Sequence, residues 1–167
     1  NNFKKYFDKN KANFITADGG MPWSNENIQE QEAFFLILGE IVTALRIQAI
    51  GGNFVCKIFE CYTNTTIKLM WILQYLYEEI YIAKPFTSRK SNSEKYIVCI
   101  GFMSSENELI DKLETMLKEH AKNKLNILDF LPNMYPSFEF TNTIRYLNIE
   151  LANIQIITIN EIIKYIE

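Results

Sequence analysis

The sequence predicts an α/β fold in which strands and helices alternate along the chain. Short apolar runs of strand length are separated by longer stretches with apolar side chains at helical spacing. Glycine, proline or a capping residue marks most of the boundaries between them. Such alternation is typical of a mainly parallel sheet with helices on both faces. With 48% hydrophobic and 22% charged residues among 167, the composition is that of a globular domain with a core.

The first half of the chain supplies two strands and one helix. Residues 14–17 form a short apolar run that stops at Asp18-Gly19-Gly20, which predicts a strand running into a turn. Residues 24–50 begin with two capping side chains and carry apolar residues at helical spacing. Gly51-Gly52 is expected to end that helix, and residues 53–59 are expected to be a buried strand.

The second half of this region adds one helix and two strands. Residues 63–79 have the pattern of an amphipathic helix, and residues 80–83 look like a strand that Lys84-Pro85 ends. A polar loop over residues 87–93 leads to the last strand, residues 95–100. Because no helix separates the last two strands, we expect them to pair antiparallel.

The remainder of the chain is predicted to be helical. Ser105 and Glu108 fit a capping box, and the helix that follows is expected to end near Asn123. Residues 131–136 break the pattern, and a short closing helix is predicted within the Ile- and Asn-rich final segment.

Bulk properties exclude several classes of protein. A net charge of −3 and a pI near 5.3 argue against a uniformly basic nucleic-acid binder, although they allow a local basic cleft. Cys56, Cys61 and Cys99 have no metal-like spacing, so we expect small buried thiols rather than a disulfide or ligands. No run of 18 apolar residues predicts a membrane span, and no metal-site motif is present.

Three ionisable residues stand at the ends of predicted strands. Asp18 follows the first strand, Lys57 lies inside the second, and Glu94 precedes the last. Ligands of open α/β sheets collect outside the carboxyl ends of the parallel strands. An antiparallel strand begins at the edge where the parallel strands end, so the topology brings all three side chains to one edge of the sheet.

Each of these residues also has a purely structural interpretation. A lysine inside an apolar strand needs a partner whether it is a salt-bridged residue or a general base, because an unpaired buried ammonium is costly. Asp18 before two glycines is a common turn residue, and Glu94 can be a surface charge. The pattern alone leaves both interpretations open.

Four segments in order closely resemble the FtsJ-like ribose 2′-O-methyltransferases, and most closely their branch specific for mRNA caps. They are residues 16–20 (TADGG), 26–30 (ENIQE), 51–57 (GGNFVCK) and 84–99 (KPFTSRKSNSEKYIVC). The resemblance implies a Rossmann-like S-adenosylmethionine-dependent methyltransferase fold. Residues 1–102 would form the C-terminal half of that domain, and residues 103–167 a helical C-terminal extension packed on it.

The same resemblance implies the chemistry of the site. The family uses a Lys-Asp-Lys-Glu tetrad, and Asp18, Lys57 and Glu94 match its last three members. The ribose 2′-oxygen attacks the sulfonium methyl of S-adenosylmethionine, so the protein mainly positions the hydroxyl and helps to remove its proton. Lys57 would accept the proton, with a pKa lowered by burial and by a neighbouring lysine. Asp18 and Glu94 would orient the amines, and Asp18 would also contact the cofactor.

Residues beside the predicted site are candidates for RNA binding. Those in the polar loop are Thr87, Ser88, Arg89, Asn92 and Ser93. The alternative is a loop that is simply solvated. Asn27 could face the RNA or the cap, although helix capping explains it nearly as well, and Trp23 could stack on a base or pack in its turn.

The sequence departs from the family pattern at its start. The family's first lysine and its glycine-rich methyl-donor loop lie upstream of the aspartate motif, and residues 1–13 supply neither. We therefore expect the chain, which opens on Asn1, to be a fragment whose partners are capped mRNA and the missing N-terminal half of the same protein. Alone, it is expected to bind S-adenosylmethionine poorly.

Two other functions remain open at this level. One is a ribosomal or transfer RNA ribose 2′-O-methyltransferase with the same chemistry. The other is a non-catalytic RNA-binding or scaffolding relative that kept the fold. No membrane or metal partner is expected. Cellular cap enzymes imply a nuclear location, and a viral enzyme would imply the cytoplasm.

Overall fold

The fold is a four-stranded mixed sheet with helices packed against it. A computed structural model describes residues 6–7, 10–22, 24–104, 107–123 and 129–166, so Trp23 and Ser105 lie outside the described residues. The strands are β1 (Ala12–Ala17), β2 (Gln48–Ile58), β3 (Tyr77–Ala83) and β4 (Lys95–Phe102). The helices are α1 (Gln29–Ile47), α2 (Asn64–Leu76), α3 (Asn107–Asn123) and α4 (Phe138–Ile166), and a short 3-10 turn spans Glu26–Ile28.

The strand order is β1-β2-β4-β3, so the last strand in the chain lies between the second and the third. β1 and β2 pair parallel, whereas β4 is antiparallel to both of its neighbours. The predicted antiparallel pairing of the last two strands is therefore confirmed. The α/β fold predicted from the alternation of elements is confirmed as well.

The sheet buries one face more completely than the other. Phe54, Cys56 and Ile58 of β2 are buried, whereas Val55 and Lys57, which alternate with them, are only partly covered. The two crossovers progress in the same direction along the sheet, so right-handed connections place α1 and α2 on one face, and these helices contact each other. Among the described residues, the prediction of helices on both faces is therefore not met.

The boundary between α1 and β2 differs from the sequence-based prediction. Gly51-Gly52 was expected to end the helix, but α1 already ends at Ile47 and β2 begins at Gln48. Gly51 has a φ of +76°, which favours glycine, and the register of β1 on β2 shifts beside it. The glycines therefore form an irregularity inside the strand, because extended backbone resumes on either side of them.

Of the two C-terminal helices, α3 ends at Asn123 as predicted, whereas α4 is longer than expected. α4 runs over 29 residues as one helix, and the Ser137 hydroxyl oxygen accepts a hydrogen bond from the Phe140 amide in its first turn. It contacts α2 and the loop after β2, where Asn148 exchanges hydrogen bonds with Cys61 at 2.7 and 2.9 Å. Ile144 is also buried there. No helix in the described part of the chain combines the length and the apolar character needed to cross a bilayer.

The core lies between the sheet and the helices. Its largest fully buried side chains include Tyr77, Phe54, Phe102, Leu38, Ile41 and Met70. The three cysteines are buried free thiols, as predicted. The layer between the sheet and the helices is therefore largely apolar.

Candidate active site

The carboxyl ends of β1 and β2 and the start of β4 share one edge of the sheet, which we call the rim. Ala17 pairs with Cys56 across β1 and β2, and Lys57 pairs with Tyr96 across β2 and β4. Asp18 follows β1 directly, so it reaches the rim beside Lys57. Glu94 directly precedes β4, so it reaches the same rim from the other side of β2.

Lys57 forms an ion pair with Asp18 at the rim. Its ammonium group contacts the Asp18 Oδ1 atom and lies 5.5 Å from the centroid of the Phe59 ring. The Lys57 side chain is 15% exposed, whereas that of Asp18 is 65% exposed. The amine is therefore mostly shielded from solvent, while its carboxylate partner stands open to it.

The pKa of Lys57 lies above the ordinary lysine value. The hydrogen bond to Asp18 is the largest cause, and the charges of Asp18 and Glu94 act in the same direction against the opposing effect of burial. The expectation of a lowered pKa is therefore wrong for the described residues. Burial does lower it, but the attraction of a carboxylate in direct contact outweighs that effect, and no second lysine is among the causes.

Tyr96 is a member of the rim that sequence reasoning missed. It lies opposite Lys57 in register, and the charges of Glu94, Asp18 and Lys57 all act on its hydroxyl. Burial raises the pKa of Tyr96 first, and the charge of Glu94 raises it further, so the phenol keeps its proton. The available signal was its position two residues after Glu94, since side chains two apart in extended backbone lie on the same side.

Lys84 holds the loop over residues 84–94 together. Its ammonium donates to the Asn92 carbonyl at 2.9 Å, to the Asn92 side-chain oxygen at 3.0 Å and to the Glu94 carbonyl at 2.8 Å. Burial lowers the pKa of Lys84, and the charge of Lys95 lowers it further. Lys84 was also missed, because its partners lie eight and ten residues ahead in a segment without a periodic pattern.

The loop residues predicted to contact RNA fall into two groups. Ser88 and Asn92 are used inside the loop, where Ser88 donates to Glu94 Oε1 at 3.2 Å and Asn92 accepts from Lys84. The Ser93 carbonyl accepts a hydrogen bond from the Lys95 ammonium at 3.0 Å. By contrast, Thr87 and Arg89 are exposed, and so is the whole Phe86 ring. The outer side of the loop thus presents a cation and an aromatic ring to solvent.

Asn27 stands apart from the ion pair, at the start of α1. It is exposed in the 3-10 turn, where the Asn25 side chain accepts a hydrogen bond from its amide at 2.9 Å. Asn27, Glu30, Glu60 and Tyr62 line a common cleft. The buried Glu30 fixes one wall, because it accepts hydrogen bonds from the backbone that follows β2. Asn27 therefore borders a preformed surface cleft.

Residues 1–102 match the FtsJ-like methyltransferase family. The chain belongs to this family. The match covers the four strands, the crossover helices and the rim, and it ends where β4 ends.

Related proteins carry the names of cap methyltransferases. The chain is 32% identical to cap-specific mRNA (nucleoside-2'-O-)-methyltransferase 1 of Trypanosoma brucei brucei over 126 residues. The aligned residues are 74% of this chain and 34% of that protein. It is 38% identical to the Dictyostelium discoideum protein of the same name, over 73% of this chain and 16% of that protein. For the human protein of that name the identity is 36%, over 64% of this chain and 13% of that protein. The chain therefore spans between 13% and 34% of the length of these relatives.

One solved structure shows a weaker likeness. A ribosomal RNA methyltransferase from Plasmodium falciparum is 20% identical, with a TM-score of 0.46, over 62% of this chain and 53% of that one.

An FtsJ-like methyltransferase implies a methyl donor, and the described residues offer few groups at the rim that could hold one. Asp18 is the candidate donor contact and stands at the open end of β1. Gly51-Gly52 lies toward the start of β2, away from Lys57, so it does not border the rim. Lys11 donates to the Arg46 carbonyl near the end of α1, so it does not pair with Lys57. The described residues thus do not by themselves fit an enclosed donor pocket.

The described residues of the rim include no cluster of metal ligands. Across the described residues, no three His, Cys, Asp or Glu side chains are arranged to hold a metal ion. Among the described residues, the rim presents one ammonium, two carboxylates and a phenol.

Proposed function

We propose that the protein transfers a methyl group from S-adenosylmethionine to the ribose 2′-hydroxyl of the cap-proximal nucleotide of mRNA. The observation that carries this proposal is the Lys57–Asp18 ion pair, which stands at an accessible rim beside Glu94 in an FtsJ-like chain. Three relatives named as cap-specific enzymes support the choice of substrate.

In this proposal, the residues of the chain hold the 2′-oxygen and manage its proton. The donor supplies a methyl group that is already activated as a sulfonium. As the 2′-oxygen takes up the methyl group, its proton passes to solvent at the open Asp18 side of the rim. The Lys57 ammonium donates a hydrogen bond to that oxygen and stabilises the negative charge that grows on it. Asp18 keeps Lys57 charged and directed toward the rim, which favours this electrostatic role over that of a neutral base. Glu94 and Tyr96 complete the wall on the β4 side.

The donor half of the site belongs to residues outside the rim described above. β1 is an edge strand of the described sheet, and Phe14 on it is 64% exposed. An exposed strand edge is a template for further pairing. We infer that a segment of the same protein pairs with β1 and carries the donor loop and the family's first lysine. Isolated residues 1–167 are then expected to bind S-adenosylmethionine weakly in calorimetry.

The exposed side of the loop over residues 84–94 supplies RNA contacts in this scheme. Arg89 pairs with a phosphate, and the exposed Phe86 ring offers a face on which a base can stack. Thr87 adds a hydroxyl beside them, and Asn27 lines the neighbouring cleft.

Residues 1–102 form the transferase half and residues 103–167 the extension on it. A nuclear location follows from the cellular cap enzymes, and a cytoplasmic one would apply to a viral enzyme.

Methylation assays on defined RNAs test the proposal. The full-length protein is incubated with radiolabelled S-adenosylmethionine and with a capped oligonucleotide, its uncapped twin or ribosomal RNA, and the methylated nucleotide is identified after nuclease digestion. We expect label on the 2′-oxygen of the cap-proximal nucleotide, and about ten-fold or greater loss of RNA affinity in Arg89→Ala at low salt. Equal labelling of the uncapped twin would overturn the cap assignment.

The two alternative functions give different results in the same assay. A ribosomal or transfer RNA enzyme would label those RNAs and leave the capped oligonucleotide unlabelled. A scaffolding relative would bind RNA without labelling any of the substrates. The second outcome would overturn the proposal of an enzyme altogether.

A further inference from the structure

We propose that Glu40 is a positioning residue, which fixes the turn carrying Asp18 against the strand carrying Lys57. The inference concerns how the rim is built, and its kinetic part rests on the proposed methyl transfer. Glu40 lies on α1, outside every motif that carries the family resemblance.

A single carboxylate joins the ends of two strands. The Gly19 amide donates a hydrogen bond to Glu40 Oε1 at 2.7 Å, and the Cys56 thiol donates to Glu40 Oε2 at 3.7 Å. Gly19 directly follows Asp18, and Cys56 directly precedes Lys57. Each oxygen of Glu40 is thus bonded to an immediate neighbour of one member of the Asp18–Lys57 pair.

The turn approaches α1 as closely as a glycine permits. A Cβ atom built on Gly19 would lie 2.5 Å from Glu40 Oε1 and 3.1 Å from Leu36 Cδ1. A Cβ contact of 2.5 Å does not occur, so an alanine at position 19 would displace the Glu40 carboxylate from the Gly19 amide, and the Leu36 side chain would also have to yield slightly. Gly39, the neighbour of Glu40 on the helix, has open space around its Cβ position.

The fixed turn matters because Asp18 is otherwise loosely held. Its side chain is 65% exposed, so solvent alone gives it no defined direction. The Gly19–Glu40 hydrogen bond anchors the next peptide group, which restricts the Asp18 backbone and thereby the position of its carboxylate. The pKa of Lys57 depends first on its hydrogen bond to Asp18. Moving the turn would therefore change both the direction and the titration of the Lys57 ammonium.

The main test compares four variants of the full-length protein. Glu40→Gln keeps an oxygen for the Gly19 amide, Glu40→Ala removes it, Gly19→Ala introduces the clash, and Gly39→Ala is the matched control. We expect kcat to fall about ten-fold or more in Glu40→Ala and in Gly19→Ala, with KM for RNA unchanged, because displacing reacting groups by about 1 Å has costs of this size. Glu40→Gln and Gly39→Ala should stay near the wild-type rate.

A double variant separates positioning from general damage. In Gly19→Ala/Glu40→Ala the clash with the Glu40 oxygen is absent, so its kcat should be no lower than that of either single variant. Losses that multiply would show that the two residues act independently, which would overturn the proposal. A fall in activity that only tracks the folded fraction in thermal melts would overturn it too.

A second readout does not depend on activity. The Lys57 ammonium can be titrated by NMR in the same proteins after selective labelling, and the charged or titratable groups facing it are Asp18, Glu94 and Tyr96. In Glu40→Ala we expect the Lys57 titration to move to lower pH, and in Gly39→Ala to stay unchanged. If the Lys57 titration moves to lower pH in Glu40→Ala but the wild-type protein methylates no RNA, the proposed function fails and this inference stands. An unchanged titration in Glu40→Ala would overturn the inference alone.

Discussion

Two lysines in this molecule have similar surroundings but differ in whether a further group can reach the ammonium. Lys57 at the rim and Lys68 on α2 are both mostly shielded from solvent, both pair with an aspartate, and both lie within 5.6 Å of an aromatic ring centroid. Lys68 is 2% exposed, and its ammonium contacts Asp129 Oδ1 and donates to the Phe130 carbonyl at 2.7 Å. A second ring, that of Tyr135, lies 5.1 Å from it.

The difference lies in the partners rather than in burial. An ammonium group has three N–H donors. Those of Lys68 are directed at the segment that begins at Asp129, so this lysine fastens that segment to α2. Lys57 is held by a carboxylate that is itself 65% exposed, at the edge of the sheet. A substrate oxygen can therefore join the Lys57–Asp18 pair, whereas the Lys68 site is closed by its own chain.

The largest expected effect is loss of turnover in Lys57→Ala. If Lys57 stabilises the 2′-oxygen, methyl transfer by the full-length protein should fall by a factor of roughly 10²–10⁴, with the melting temperature little changed. Single-turnover assays with capped RNA measure this. Full activity in the variant would remove Lys57 from the mechanism and erase the contrast with Lys68.

The next effect is a loss of stability in Lys68→Ala. Removing a partner from a buried ion pair is strongly destabilising, but Asp129 is 47% exposed and can be resolvated, so we expect about 1–3 kcal/mol. Urea unfolding gives the value, with Lys112→Ala as control, because the Lys112–Glu108 pair is exposed. An equal loss in both variants would show that the buried contacts of Lys68 add nothing.

The smallest effect is a change in acid stability. The hydrogen bond from Lys68 lowers the pKa of Asp129. The carboxylate therefore contributes stability above its unfolded pKa of about 3.9, and this is lost as the pH falls through the lower folded value. Asp129→Asn should flatten the decline of unfolding free energy below about pH 5, by less than roughly 1 kcal/mol because the group is half exposed. Parallel declines in variant and wild type would contradict the pairing.

Much of the fold could be predicted because it depends on local patterns and on one topological rule. Apolar runs, caps and glycines marked the strands and helices to within a few residues in most cases. The rule that parallel strands end at one edge brought Asp18, Lys57 and Glu94 together, and the structure places them there. Their catalytic roles stay predictions. The one-sided placement of α1 and α2 was missed, because strand order is set by pairing between distant segments.

Interactions between side chains far apart in sequence were not predictable. Lys84 and Glu40 act on partners 8 to 21 residues away, through side-chain directions that no periodic pattern encodes. The raised pKa of Lys57 was missed for the same reason, since it depends on whether Asp18 reaches the ammonium. The sequence indicated that Lys57 would be buried, but its contact with Asp18 decides the direction in which the pKa shifts.

The placement of β4 has a consequence for how the chain assembles. β2 and β3 leave the ribosome before β4, yet each hydrogen-bonds to β4 and neither pairs with the other. Until Lys95–Phe102 is made, both strands carry open edges, which are the features most prone to sticking to other chains. The β3–β4 hairpin is the more local pairing, so we expect it to form first and then insert as a unit beside β2. Nascent chains halted just before Lys95 are thus the ones most in need of a chaperone.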